Sequence, residues 1–405
     1  MSVRGDRIVQ AERACGLAEP WFLNQHLHHP AAASVEGQET SFEEAVDRAV
    51  EVLRNAQAPL IYGLSRSSTE GQRASIALAE RLGATIDTTA SLCHSPSILA
   101  LQTVGESTCS LGEIRNRADL VIFWGSDPLV THPRHMERYS VDPQGRFVPN
   151  GRADRFVVVI DSERTKSAER ADLFLQVEPD RDFDVLWALR GLVAGQSIDR
   201  LAKCGADPEA LALLAERMKG CRCGVVFFGL GLSRRGIGHV NVTALLLLVR
   251  DLHRFTRFHA RRMRVQGDVT GADSVLCWQT GFPFSVNFAK GFPRYGPGEY
   301  SAEDVLRRQE TDAVVLVGSE TVEQFSPAAR AHLDRVPTIC LDHPSVPSGV
   351  DPTVRFTTAV NGIHRGGTAY RMDEVPIPLR VLVESDYPDD SEVLEAIRKR
   401  LPAEV

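Results

Sequence analysis

The sequence predicts an α/β protein built from two doubly wound lobes. Three observations lead there. Short, continuous apolar runs recur along the chain, as expected of strands whose two faces are both covered. Stretches of helical period separate them, and strand–helix alternation implies parallel sheets. The chain has 405 residues, too many for one ordinary core.

The elements follow in order, after a loosely patterned first forty residues. Ser41 with Glu44 three positions on forms a capping box, and Phe42, Ala45, Val46, Ala49 and Leu53 then recur on one helical face. A strand is expected at 59–63, a helix at 72–82 stopped by Gly83, and a strand at 84–88 leading into a polar loop with Cys93. Further strands are expected at 120–124, 156–160 and 173–177, and helices at 182–193 and 208–218. A strand at 225–228, a turn at Gly229 to Gly231 and a helix at 240–252 come next. Residues 265–300 are rich in Gly and Pro and show no helical period; strands return at 313–317, 338–341 and 354–358. The last fifty residues are weakly periodic. The expected division is a first lobe of 1–92 plus 215–380, an inserted lobe of 93–214, and a C-terminal extension of 381–405.

Composition narrows the function. Net charge is −7, which argues against a general nucleic-acid binder. The longest apolar run, near 242–249, is far short of the roughly 20 residues of a membrane span. The polar N-terminus lacks the apolar core of a signal peptide, so a cytoplasmic protein is expected. The eight cysteines are scattered, unlike a disulfide framework. Cys221 and Cys223, one residue apart, read as two structural thiols or as half of a metal site.

Several groups could carry chemistry. Cys93 beside His94 could bind a soft metal or attack an electrophile, or could be a buried cysteine beside a hydrogen-bonding histidine. His26, His28 and His29 look metal-like, but no carboxylate or cysteine lies beside them in sequence to complete a shell. His253, Arg254, Arg257, His259, Arg261, Arg262 and Arg264 form a basic stretch, suited either to an anionic partner or to a solvated helix end. In doubly wound sheets ligands bind outside the carboxyl ends of the strands. The candidates there are Gly125, Ser126 and Asp127, Asp161, residues 179–182, Gly229 with Gly231, and Gly318 to Glu320; each glycine is equally readable as a tight turn. The aromatic segments 281–284 (GFPF) and 291–298 (GFPRYGPG) suit a rigid loop that lines a pocket or docks on a partner, or simply packs.

Together these strings resemble the molybdopterin-oxidoreductase family, and within it the B subunit of formylmethanofuran dehydrogenase. The strings are 93–96 (CHSP), 116–128 (NRADLVIFWGSDP), 131–139 (THPRHMERY), 267–272 (GDVTGA), 291–295 (GFPRY) and 366–373 (GGTAYRMD). The resemblance implies Rossmann-like lobes, a tungsten or molybdenum ligand at the position of Cys93, and pterin-site turns at Gly125, Ser126, Asp127, Asp161, Gly229, Gly231, Gly267 and Gly318.

Departures from the family pattern redirect the functional expectation. Cys15 is the lone cysteine before Cys93, and one thiolate cannot hold the [4Fe–4S] cluster of the family. Residues 5–9 (GDRIV) resemble the stretch just after that cluster motif, so its loss is expected, as is that of the C-terminal β-barrel domain. Asp127 stands for the usual Asn, 318–321 (GSET) for a Gly-x-Asn-Pro turn, and 178–182 (EPDRD) for a Pro-Gly-Thr-Asp turn. Carboxylates aimed at the site would repel a pterin's phosphates.

This set of departures resembles the B subunit of the bacterial formyltransferase/hydrolase complex. The resemblance implies a non-catalytic subunit in formaldehyde oxidation by methylotrophs. It would have partners A, C and D, with A closest and holding zinc. The complex would move a formyl group from formyl-tetrahydromethanopterin to a methanofuran-type carrier and hydrolyse it to formate. Cys93, His94 and the pterin-site positions would be vestiges, with no metal, tungsto- or molybdopterin, or cluster bound by this chain. Arg261 and Arg264 are the expected contacts for the carrier's polyglutamate arm. The alternatives are a stand-alone pterin- or nucleotide-binding protein and an active tungsten- or molybdenum-pterin dehydrogenase subunit.

Overall fold

The computed structural model describes residues 1–197, 203–234, 237–265, 267–346 and 349–402. The chain divides into two compact units, Met1–Leu92 with Gln266–Val405, and Cys93–Val265.

The first unit is organised by a nine-stranded sheet. Its centre is five parallel strands in the spatial order Thr85–Thr88, Pro59–Gly63, Ala313–Val317, Thr338–Asp342, Val354–Thr357. Short antiparallel strands flank it on both sides. Successive residues of a strand face opposite sides, and both sides here are covered. Ile61, Val315 and Ile339 pack against the helices Phe42–Asn55, Thr69–Leu82 and Asp390–Arg400. Leu60, Tyr62, Val314 and Leu316 pack against Ala302–Arg307 and Pro327–Leu333. This two-sided burial explains why these strands read as unbroken apolar runs. The expected capping box is present, with Glu44 N–H donating to Ser41 Oγ at 3.2 Å. Gly83 ends the next helix in the left-handed region at φ 65°.

Two helices of this unit depart from the sequence reading. Val269–Thr280 lies within the stretch judged aperiodic. Asp268 caps it, accepting from Gly271 N at 2.7 Å, and Gly281 ends it at φ 86°. Eight of its twelve residues are buried, so no polar face marks the period. The Asp390–Arg400 helix carries a second capping box, Asp389 with Glu392, and buries Val393, Leu394 and Ile397 in the core. Residues 381–402 are therefore part of the first unit rather than an extension of it; 403–405 lie outside the described residues.

The second unit holds a five-stranded, wholly parallel sheet in the order Arg257–Arg262, Cys223–Phe228, Leu120–Trp124, Phe156–Asp161, Leu173–Gln176. Val226 pairs with Ile122, so the strand after residue 215 belongs to this sheet. The expected return to the first lobe at 215 is corrected to the 265/266 junction. The basic stretch is corrected too: the helix ends at Leu252, and Arg257–Arg262 is an edge strand. No helix among the described residues is long and apolar enough to cross a membrane.

Candidate functional site

The turns at the carboxyl ends of the parallel strands are where this architecture offers backbone donors to a ligand. In the first unit the chain's own carboxylates take those donors. After strand Ala313–Val317, the N–H and Oγ of Ser319 both donate to the Asp342 carboxylate at 2.8 Å. Glu320 turns inward, and its Oε1 accepts from Arg66 Nε at 2.7 Å. The cavity bordered by Arg66, Gly318, Glu320, Asp342 and Asp390 measures about 10 Å³, room for roughly one water. Asp87, at the end of the neighbouring strand, accepts from Ser285 N at 2.9 Å and from Ala302 N at 2.7 Å. Gly267 (φ +76°) is pressed against Ser65, whose carbonyl oxygen would lie 2.3 Å from an added Cβ.

Burial sets the protonation chemistry of these acids. Loss of water pushes Asp87, Asp268 and Asp390 up to about 6, against the opposing pull of their hydrogen-bond donors. Asp342 is raised for the same reason. A folded-state pKa above the unfolded value stabilises the fold below about pH 4 and loses that contribution as pH rises towards about 6. Asp390→Asn removes one such group. Its stability relative to the parent, measured by urea unfolding, is expected to improve as pH rises from about 4 to about 6, by at most about 1.4 kcal/mol per pH unit. A pH-independent difference between the two proteins would sink that assignment.

In the second unit the glycines meet one another. An added Cβ at Gly125 would lie 2.5 Å from Leu232 N, one at Gly229 2.5 Å from Gly125 O, and one at Gly231 2.7 Å from Gly125 Cα. Only glycine permits this approach of one βα turn to the next. Asp127 accepts from Lys166 N at 3.2 Å and Ser167 N at 3.1 Å, tying two turns together. The Asp161 carboxylate accepts from the N–H of Ser162 at 2.8 Å. Ser126 Oγ is buried without a hydrogen-bond partner among the described residues.

Cys93 and His94 are 2% and 4% exposed. They lie where the one-turn helix Ala90–Cys93 meets Ser95–Val104, not in the expected polar loop. The His94 carbonyl caps the second helix, accepting from Ser97 N and Ile98 N. Arg261 is 2% exposed, and its Nη1 donates to Thr108 Oγ1 at 2.6 Å. Its side chain is thus buried in the chain rather than offered to solvent. Arg264 is half-buried, with its carbonyl bonded to His132 Nε2. Desolvation, aided by Asp119, pushes the Cys221 thiol up to about 12 and Cys223 up to about 11. Both thiols therefore stay protonated at neutral pH in the chain alone. Among the described residues no group of three or more His, Cys, Asp or Glu is arranged to hold a metal ion.

No motif in the sequence marks Arg66, Asp87 or Asp390 as part of these turns, and Asp268 lies in the string 267–272 without being singled out there. Asp342 has the one usable signal, a carboxylate directly after an apolar strand.

Glu320 and Asp342 in the first unit and Asp127 in the second place carboxylates at the strand-end turns; backbone lies against Gly125, Gly229, Gly231 and Gly267, while Gly318 meets the side chains of Glu320 and Arg66. Fold and site thus define a two-unit α/β protein with parallel sheets whose strand-end turns are closed by their own side chains.

No family model matches the chain. The B subunit of tungsten-containing formylmethanofuran dehydrogenase 2 from Methanocaldococcus jannaschii is 39% identical over 410 residues, 98% of this chain and 94% of that protein. The same-named protein of Methanococcus maripaludis is 35% identical over 408 residues, again 98% and 94%. The B subunit of the formyltransferase/hydrolase complex Fhc from Methylorubrum extorquens is 24% identical over 292 residues, 71% of this chain and 75% of that one. The chain belongs to the family of formylmethanofuran dehydrogenase B subunits. Its fold matches a chain of the crystal structure of the Methylorubrum extorquens complex FhcABCD with methylofuran, with TM-score 0.75, 24% identity, and coverage of 91% of this chain and 98% of that one. Acetylene hydratase from Pelobacter acetylenicus shares the fold at TM-score 0.66 and 12% identity, over 94% of this chain and 63% of that one.

Proposed function

We propose that this chain is a non-catalytic structural subunit of a formyltransferase/hydrolase complex. The complex transfers a formyl group from formyl-tetrahydromethanopterin to a methanofuran-type carrier and releases formate, as a step of formaldehyde oxidation in the cytoplasm. The observation that carries this reading is the closure of the strand-end turns by Glu320 with Arg66, Asp342 and Asp127. Such turns leave the chain without a cradle for a tungsto- or molybdopterin, and Cys93 becomes a vestigial ligand position. The chain then serves by shape, holding partners A, C and D with A closest. Partner A carries the hydrolytic zinc. The likeness to FhcABCD supports the heteromeric setting.

A second reading has its own support. The 39% identity to the B subunit of a tungsten-containing enzyme exceeds the 24% identity to the Fhc B subunit, which favours a dehydrogenase role. On that reading Cys93 would ligate the metal.

Elemental analysis of the purified native complex for tungsten, molybdenum and iron separates the two. The structural reading expects neither tungsten nor molybdenum in stoichiometric amount, and unchanged formate production after Cys93→Ser. A stoichiometric heavy metal lost on Cys93→Ser, together with activity, would overturn it.

A further inference from the structure

The two units carry opposite charge. The second, Cys93–Val265, has 25 Lys and Arg against 20 Asp and Glu, while the first has 21 against 33. A negatively charged chain thus contains a positively charged body, and such asymmetry points to a charged partner.

Within the second unit several of these cations gather around one ring. Phe147 is 39% exposed. The Arg117 guanidinium lies 4.1 Å from its centroid and that of Arg146 lies 5.5 Å away. Arg222 Nη2 donates to the Phe147 carbonyl at 3.1 Å. The Arg115 carbonyl lies against Gly145 in the same loop. Arg257 begins the edge strand in register with Cys223, the residue after Arg222. The acids nearby are already engaged. Glu113 pairs with Arg117 at 2.7 Å and Asp119 with Arg222 at 3.1 Å. Asp154 accepts from Asn150 N at 2.7 Å and Nδ2 at 3.0 Å. Arg115, Arg146 and Arg257 are exposed, and none has an ion pair among the described residues.

The dipole of the helix Leu111–Arg117 favours cations in its last turn, which accounts for Arg115 and Arg117. It does not account for Arg146 or Arg257, which lie on other elements. The basic stretch read from the sequence is thus divided along its strand. Arg261 and Arg262 are buried at one end, and Arg257 is exposed at the other. Repulsion among surplus cations is a cost that an anionic partner removes. Arginines mixed with an exposed aromatic ring are the composition of protein interfaces. A nucleic acid is disfavoured by the net charge of −7.

We propose that the surface formed by Arg115, Arg117, Arg146, Arg222 and Arg257 around Phe147 docks an acidic segment of a partner polypeptide. It depends neither on the strand-end turns nor on the functional reading built on them.

The test uses the full chain and fluorescence anisotropy. The probe is a fluorescein-labelled decapeptide of Glu and Asp around one central Leu, and the same peptide with Gln and Asn is the neutral control. Saturable binding of the acidic peptide is expected at about 50 mM salt, with a Kd of about 10–100 μM, lost at about 0.5 M. The neutral peptide should not bind. Arg115→Glu with Arg146→Glu should weaken binding at least about tenfold. Arg115→Gln with Arg146→Gln, milder for the fold, should give an intermediate loss. Arg54→Glu with Arg73→Glu makes the same change of net charge on exposed helical residues of the first unit and should leave the affinity within about twofold. No saturation, equal binding of the neutral peptide, or equal losses in the two reversal pairs would overturn the proposal. Tighter binding of single-stranded oligothymidine at the same arginines would overturn the assignment to a polypeptide.

Discussion

Gly125→Ala is expected to destabilise the second unit by about 2–5 kcal/mol, from a left-handed backbone costing about 1–2 and a backbone collision costing about 1–3. The residue sits at φ +57°, and its new Cβ would lie 2.5 Å from Leu232 N and 2.8 Å from Gly231 C. Neither neighbour is a flexible side-chain end, so the βα turns at 125 and 229–231 must part. Gly291→Ala is the matched control. It has φ +78° and nothing within 4 Å of the added Cβ, so it should lose only the conformational cost of about 1–2 kcal/mol. Urea unfolding measures both, monitored by a second-unit tryptophan for Gly125→Ala and by a first-unit tryptophan for Gly291→Ala, which lies in the first unit. Equal losses would show that the turn-to-turn contact contributes nothing. The pair of variants bears on function as well. A glycine kept for a ligand would cost ligand affinity when replaced, whereas this one should cost stability in the chain alone.

Arg262→Ala should cost about 3–5 kcal/mol, because it strands a buried carboxylate. Arg262 Nη2 lies 2.7 Å from Glu106 Oε2, and the two side chains are only 10% and 7% exposed. The other Glu106 oxygen is buried with no hydrogen-bond partner among the described residues, so Arg262 is the main compensation for that charge. Replacing both, Arg262→Met with Glu106→Leu, should recover to within about 1–2 kcal/mol of the parent, since a buried pair typically repays little more than its desolvation. A double-mutant cycle in urea tests this. Additive losses would show that the pair is not coupled. The result would also settle the meaning of the basic stretch at Arg262: a position that holds the sheet edge rather than one offered to an anionic partner.

Legibility followed the range of the interaction that formed each element. The strands at Leu120–Trp124 and Ala313–Val317 were plain, because burial on both faces writes itself into consecutive residues. The capping box at Ser41 and the stop at Gly83 were equally plain, being local to one helical turn. The Val269–Thr280 helix was not, since a helix buried on most sides has no polar stripe to mark its period. The edge strand Arg257–Arg262 hid behind its arginines, whose charges are met by partners such as Thr108 and Glu106 about 150 residues away. Gly125, Gly229 and Gly318 stand directly after strands, as the apolar runs before them predict, but what fills those turns is not legible in the sequence. Asp87 meets Ser285 across 198 residues, and Arg66 meets Glu320 across 254.

The sequence alone determined the α/β class, the strand and helix rhythm, and the family whose strings it carries, because periodicity and short motifs depend on neighbours a few residues apart. Which sheet the Cys223–Phe228 strand joins, whether a glycine faces a ligand or another glycine, and which carboxylate closes which turn were decided only by the tertiary structure. Those are choices among distant partners. The same chain pattern is compatible with several of them until packing and the demand to satisfy buried donors select one.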